Sequence, residues 1–209
     1  MTEQNFQILP GLSDSHRDAA CLLFWEAFRQ KLAPVMNPRD KVLAFLARVM
    51  KSDHAISAVS SDGRLLGIAG FKTADGAFVG GGLSDLFSVY GFWGGLWRGV
   101  VLEVLERDLE DNTLLMDGIF VDPDARGQGI GTALLDAVAC RALEHGLAKV
   151  RLDVINTNTR ARELYERNGF HAVDTQHIGL FKHVFGFQSF ATMHLDLRSE
   201  NPRAGKAGS

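Results

Sequence analysis

The 209-residue sequence predicts a mixed α/β fold, a central sheet with helices on both of its faces. Three observations lead there. Stretches with helical and strand periodicity alternate along the chain. Asp62-Gly63 joins two apolar runs as a hairpin turn, which excludes a wholly parallel sheet. Hydrophobic residues make up 46% of the chain, enough for a packed core and far from a disordered composition.

The elements follow in order. "FQILPGL" opens as a short strand, and Ser13 or Asp14 can cap a helix running to about Leu32 with Leu22, Leu23 and Ala27 turned inward. Pro38 begins a second helix to about Lys51, with Val42, Phe45, Leu46 and Val49 on one stripe. "HAISAVSSDGRLLGIAGFKT" is the hairpin. A Gly-rich apolar segment, about 76–112, reads as an insertion. It carries an amphipathic helix from Trp93 to Leu105 whose Leu96, Trp97, Val100, Val101, Val104 and Leu105 want a partner surface. That surface could be the rest of the fold, a substrate pocket or a second copy of the chain, so a homodimer is one expectation.

"TLLMDGIFV" is an apolar strand closed by Asp122-Pro123. The helix after it runs from Ala125 to His145, with Ile130, Leu134, Val138 and Ala142 inward, and stops near Gly146. "AKVRLDVI" is a strand, and "NTNTRARELYERNGF" a turn and short helix closed by Gly169. "HAVDTQHIG" and "SFATMHLDL" complete the pattern as strands. One domain, 1–198, is expected, with 199–209 a disordered polar tail.

Composition narrows the function. A formal charge of −3 gives no basis for binding nucleic acid. "LFSVYGFWGGLW" is shorter than the roughly 20 residues that cross a bilayer, so no membrane partner is expected. The start, "MTEQNFQILPGL", shows no secretory signal, and a cytoplasmic protein is expected. Cys21 and Cys140 read as small buried thiols. The seven histidines are scattered without ligand spacing, so no metal is expected.

The chemistry is concentrated in "GIFVDPDARGQGIGTALLDAV", Gly118 to Val138. Gly127, Gly129 and Gly131 alternate at the head of a helix, where unpaired N–H groups and the helix dipole favour an anion. Glycine lets the backbone approach that anion closely. A P-loop needs Gly-Lys before Ser or Thr, and here Gly131 precedes Thr132 directly. A Rossmann fingerprint fails at its third glycine, which is Thr132, and its acidic residue, Asp153, sits in mid-strand.

Arg126-Gly127-Gln128-Gly129-Ile130-Gly131 matches R-x-x-G-x-G. With "IFVDPDARG" and the downstream "NTNTRARELYERNGF", the stretch from about Leu114 to Phe170 resembles the GNAT superfamily of acyl-CoA-dependent N-acetyltransferases. The resemblance implies a three-layer fold with a mostly antiparallel sheet, and acetyl-CoA as co-substrate. It implies that amides of Gly127 to Thr132, Gln128 and Ile130 included, cradle the diphosphate of the coenzyme, with Arg126 adding charge. Ile119, Phe120 and Val121 would pair their backbone with the pantetheine arm, and one of their N–H groups would hold the thioester carbonyl. Asn158 would hold pantetheine or nearby backbone. Tyr165, on the face of Ala161, would protonate the departing thiolate, a phenol of pKa about 10 against a thiol of about 8.5.

The acceptor implied is a primary amine on a small molecule or peptide. Its proton must be removed, and Asp117 is the candidate base, placed two residues before Ile119 and so on that residue's side of the sheet. His177 and His183 are weaker candidates. The rival expectation is a CoA-binding module without turnover, acting as a sensor or interaction domain.

Overall fold

The computed structural model describes residues 5–103, 108–177, 179 and 187–197. Val104, Leu105, His183 and the tail 199–209 lie outside the described residues. In chain order the elements are β1 (Phe6–Pro10), α1 (Arg17–Met36), α2 (Arg39–Val49), β2 (Ala55–Ser60), β3 (Leu65–Thr73), β4 (Gly76–Ala77) and α3 (Leu83–Glu103). There follow β5 (Thr113–Val121), α4 (Ile130–Glu144), β6 (Lys149–Ile155), α5 (Thr159–Arg167), β7 (His171–His177) and β8 (Ser189–Asp196).

The strands form one eight-stranded sheet in the order β1-β2-β3-β5-β6-β8-β7, with β4 hydrogen-bonded to β3. Each described pairing is antiparallel except β5 with β6. The β2–β3 hairpin closes at Asp62-Gly63 as expected, with Gly63 at φ 83° supplying the left-handed conformation the turn needs. β5 and β6 are parallel partners only from Thr113–Leu115 to Lys149–Arg151. Beyond Leu115 the two separate: β5 stays on β3 and β6 stays on β8. One backbone edge of Met116–Val121 therefore has no strand beside it among the described residues.

Two apolar cores hold the layers together. On one face α1 and α2 bury Phe24, Trp25, Phe45 and Leu46 against Ile68 and Phe120. On the other, α4 lays Ile130, Leu134, Val138 and Ala142 on Leu114, Met116 and Val150, and α5 adds Tyr165. The α2 and α4 stripes are those expected from periodicity. α1 differs: Leu22 and Ala27 are exposed, Leu23 is half-buried, and the inward face is Ala20, Cys21, Phe24 and Trp25. The aromatic rings win that face because they bury the most apolar area per residue.

The α4 helix begins at Ile130, since Pro123–Ala125 winds into a separate 3-10 turn capped by Asp122. The helix of the 76–112 segment begins at Leu83, ten residues before Trp93, and is broken at Gly91, whose φ of 74° no right-handed helix accommodates. Before the break it packs on its own fold through Leu86 and Tyr90, whose hydroxyl donates to Met36 O. After the break Phe92, Trp93 and Trp97 are exposed, and Arg98 stacks on the Tyr90 ring at 4.1 Å. Cys21 is buried as expected, and its burial raises the thiol pKa to about 11. Cys140 is exposed, because it falls on the solvent side of α4.

Candidate active site

The loop from β5 into α4 presents backbone donors. Gly127 and Gly129 sit at φ 83° and 84°, and a Cβ built on either would meet nothing within 4 Å. Gly129 caps α4 with no side chain bonding to the first turn, and that turn holds no acidic residue. Among the described residues the amides of 127–132 find no acceptor; the first donation into the helix is Ala133 N to Gly129 O at 3.0 Å. Four orphan N–H groups at a helix head are a general feature, and proteins usually satisfy them with a side-chain cap. Here they are left to a ligand or water. Arg126, exposed, folds back so that its Nε donates to Val121 O at 3.3 Å. Gly131 faces the other way, where a Cβ would come 3.0 Å from Leu164 Cδ2 of α5.

The strand leading to this loop carries a β-bulge. Gly70 opposes Gly118 and Phe71 opposes Met116, so Asp117 is the extra residue. The bulge overturns one expectation. Two residues apart on a regular strand, Asp117 and Ile119 would share a side; instead the alternation flips, Ile119 and Val121 pack on the α4 core, and Phe120 joins the α1–α2 core. Asp117, half-buried, lines a cavity on the α1–α2 face together with Leu115. Sequence periodicity could not show this, because an inserted residue leaves no compositional mark.

Across the gap, α5 begins at Asn158, whose Oδ1 accepts from Ala161 N at 3.2 Å and caps the helix. Its carbonyl oxygen is thus spent on nearby backbone. Seven residues on, Tyr165 is 6% exposed with its ring 5.8 Å from Phe170. Burial pushes its pKa up to about 12, not the value near 10 expected of a free phenol. Among the described residues its hydroxyl makes no hydrogen bond. Asp117 and Tyr165 thus lie on opposite faces of the sheet, with the open edge of β5 between them.

The cavity beside Asp117 measures about 580 Å³. Helices α1 and α2 give it an apolar wall that includes Phe24, Phe28, Met36 and Phe45, and the β3–β4 turn gives it a polar one with Lys72, Thr73 and Asp75. Lys51 stands at its rim. Reading the sequence missed these residues. They come from α1, α2, the segment after α2 and the β3–β4 turn, and only the folded chain brings them together. His177, a weaker base candidate, is exposed on β7. Among the described residues no three His, Cys, Asp or Glu side chains gather as a metal site, and no helix is long and apolar enough to cross a membrane.

Fold and loop together define a mixed α/β protein whose sheet opens beside an uncapped helix head with unpaired backbone amides. The model of the acetyltransferase (GNAT) family matches residues 18–170, and the chain belongs to that family of acyltransferases. A mycothiol acetyltransferase of Corynebacterium jeikeium is 33% identical over 96 residues, 46% of this chain and 27% of its own length. A thialysine N-epsilon-acetyltransferase of Bos taurus is 41% identical over 56 residues, 27% of this chain and 33% of its own. The matched stretch thus spans about a quarter to a third of the length of these curated relatives.

Solved structures share the fold. An N-acetyltransferase from Staphylococcus aureus Mu50 superposes with a TM-score of 0.62 at 18% identity, covering 93% of this chain and 99% of that one. A GCN5-related N-acetyltransferase from Kribbella flavida gives 0.61 at 17%, covering 94% and 100%.

Proposed function

We propose that this chain transfers the acetyl group of acetyl-CoA directly to a primary amine. The observation that carries the proposal is the acceptor-free run of amides from Gly127 to Thr132. The residues present fit the coenzyme: open space where Gly127 and Gly129 lack a Cβ suits a diphosphate, and the unpaired edge of Met116–Val121 suits an extended amide-bearing arm. When bound, acetyl-CoA supplies an acyl thioester for the amine to attack.

The chain's own groups then have distinct tasks. Amides of Gly127, Gln128, Gly129, Ile130, Gly131 and Thr132 hold the diphosphate, with Arg126 beside them. Ile119, Phe120 and Val121 pair through their backbone with the pantetheine arm, and one amide donates to the carbonyl oxygen where negative charge grows. A donor aimed at growing charge stabilises the transition state more than the ground state. Asn158 holds the start of α5 in place and keeps its amide nitrogen for the arm.

A lysine-like amine is only about one part in 10³ neutral at pH 7, so a base has to take its proton. Asp117 faces the cavity and takes it, directly or through water. As the C–N bond forms and the C–S bond breaks, Tyr165 on the opposite face gives its proton to the departing sulfur, and the second proton that the nitrogen sheds on becoming an amide passes through water to the phenolate. Attack from one face and departure toward the other match the placement of these two groups.

The raised pKa of Tyr165 favours one rival, a domain that holds CoA without turnover, because a weaker acid protonates a thiolate less readily. Following thiol release from acetyl-CoA over a panel of amines separates the two. A rate that falls with Tyr165→Phe rejects the binding-only reading. No release with any amine, and no CoA binding by calorimetry, rejects transfer itself.

A further inference from the structure

We propose that the acceptor is a free amino acid with a large apolar side chain, its carboxylate held at Lys51 and its amine at Asp117. The inference rests on the transfer reading above and adds a substrate class to it. Its ground is the cavity beside Asp117. At about 580 Å³ the cavity lies within the roughly 300–1,000 Å³ typical of small-molecule sites. One wall is aromatic and aliphatic, from Phe24, Phe28, Met36 and Phe45, with no charged group among them. Such a wall repays burial of an apolar side chain and penalises a polar chain of similar length.

The charges sit on the other side of the cavity. Lys51, Lys72, Asp75 and Asp117 line it, two cations and two anions. A polyamine would meet two like charges in that set, and so would a dicarboxylate. A zwitterion has groups of opposite sign to face at both of its ends.

Lys51 is the cation placed to read a carboxylate. It follows α2, is exposed, and its Nζ lies 3.4 Å from the point a Cβ of Gly76 would occupy. The bare backbone of Gly76 leaves that ammonium open to the cavity. The acidic neighbour its charge reaches, Asp53, is engaged with His54 Nδ1 at 2.9 Å, and no carboxylate among the described residues lies within ion-pair distance of Lys51. Asp117 lies in β5 at the separation of β5 from β6, where the amine must arrive. A blocked peptide, lacking the free carboxylate, would forfeit the Lys51 contact.

The test compares L-phenylalanine with phenethylamine, and L-leucine with isoamylamine, in two assays. Calorimetry with CoA present reads binding, and thiol release from acetyl-CoA reads transfer. The expected result is tenfold or greater preference for each amino acid in kcat/KM and in Kd. Lys51→Met should bring that ratio near one through a rise in KM for the amino acid, with kcat little moved. Lys51 is exposed, and its backbone donation to Phe78 O survives the change, so the variant should fold.

Equal or better binding of the decarboxylated amines overturns the inference, as does a Lys51→Met effect equal on both members of a pair. Release with spermidine and with neither amino acid overturns the substrate class and leaves transfer standing. Preferential binding of the amino acids without release upholds the pocket and overturns transfer.

Discussion

Tyr165, as the proposed acid, would tie a rate and a stability to one buried side chain. Its neighbours are apolar, and burial alone raises its pKa to about 12. In the fold the neutral phenol is therefore kept across the whole range in which enzymes work. If it donates to the sulfur, ionisation of Tyr165 produces no alkaline loss of rate below about pH 11. Tyr165→Phe should lower kcat by about 100-fold, the lower end of the range for a positioned acid. The sign for stability follows from linkage: the unfolded chain ionises near pH 10, the folded chain near 12. Stability thus declines as pH rises through that window. Because the hydroxyl has no protein partner among the described residues, the Phe variant should melt within a degree or two of the parent at pH 7.5. Above pH 10 it should outlast the parent. Circular dichroism melts at the two pH values check this, and a variant that loses several degrees at neutral pH would show that the hydroxyl holds the fold.

At the scale of elements, the loop, the α4 helix it opens and the α5 helix beside it act together. Gly129 needs its φ of 84°, and Gly131 needs the space beside Leu164. Gly129→Ala places a Cβ in the left-handed region at a cost of about 1–2 kcal/mol, which is roughly 5- to 30-fold in affinity if the loop relaxes away from the shape proposed to hold the anion. Gly131→Val pushes Leu164, and α5 with it, so it should impair Tyr165-dependent turnover as well as CoA binding. Isothermal calorimetry with CoA and steady-state rates distinguish the two, since Gly129→Ala should act mainly on Kd. This loop was legible in the sequence because its glycines, its proline turn and the α4 stripe are all local signals. The strand order of the inner sheet was legible only as mixed pairing. The bulge at Asp117, the aromatic face of α1 and the cavity walls were not legible. Each depends on which distant segment packs opposite, and no periodicity within one segment carries that information. Lys51 and Lys72 belong to no motif or spacing that would mark them in the sequence.

For the molecule as a whole, the decisive feature is where β5 and β6 stay joined. Their short parallel pairing, Thr113–Leu115 with Lys149–Arg151, closes one end of the gap that the coenzyme would enter. Glu110 fastens that end. It accepts from Arg151 at 2.7 Å and from Lys149 at 3.5 Å, and it lies 3.8 Å from His194 of β8. Arg151 is 12% exposed, so loss of the Glu110 carboxylate leaves a mostly buried cation with the longer 3.7 Å pairing to Asp153 and less well satisfied. Glu110 itself is 36% exposed, which screens the interaction. Glu110→Gln should therefore cost about 1–2 kcal/mol, a fall of roughly 2–8 °C in Tm for a chain of this size. His194 adds a pH dependence. Burial lowers its pKa below 6.5, against the opposing pull of Glu110. The unfolded chain then binds a proton that the folded chain resists, so this contribution is intact above about pH 6.5 and is lost as pH falls below it. Without Glu110 the imidazolium is opposed by burial and by the Lys149 and Arg151 charges, with only Asp196 in its favour, and the acid side should steepen. Melting curves from pH 7.5 to 5 should show the parent declining below 6.5, Glu110→Gln declining more steeply, and His194→Gln nearly flat over that window. Because the same cluster holds the closed end of the gap, Glu110→Gln should also weaken CoA binding several-fold, although it lies at the far end of β5 from the glycine loop. A normal CoA affinity in a Glu110→Gln protein with a lowered Tm would show that the joined end of β5 and β6 stabilises the sheet without setting the width of the gap.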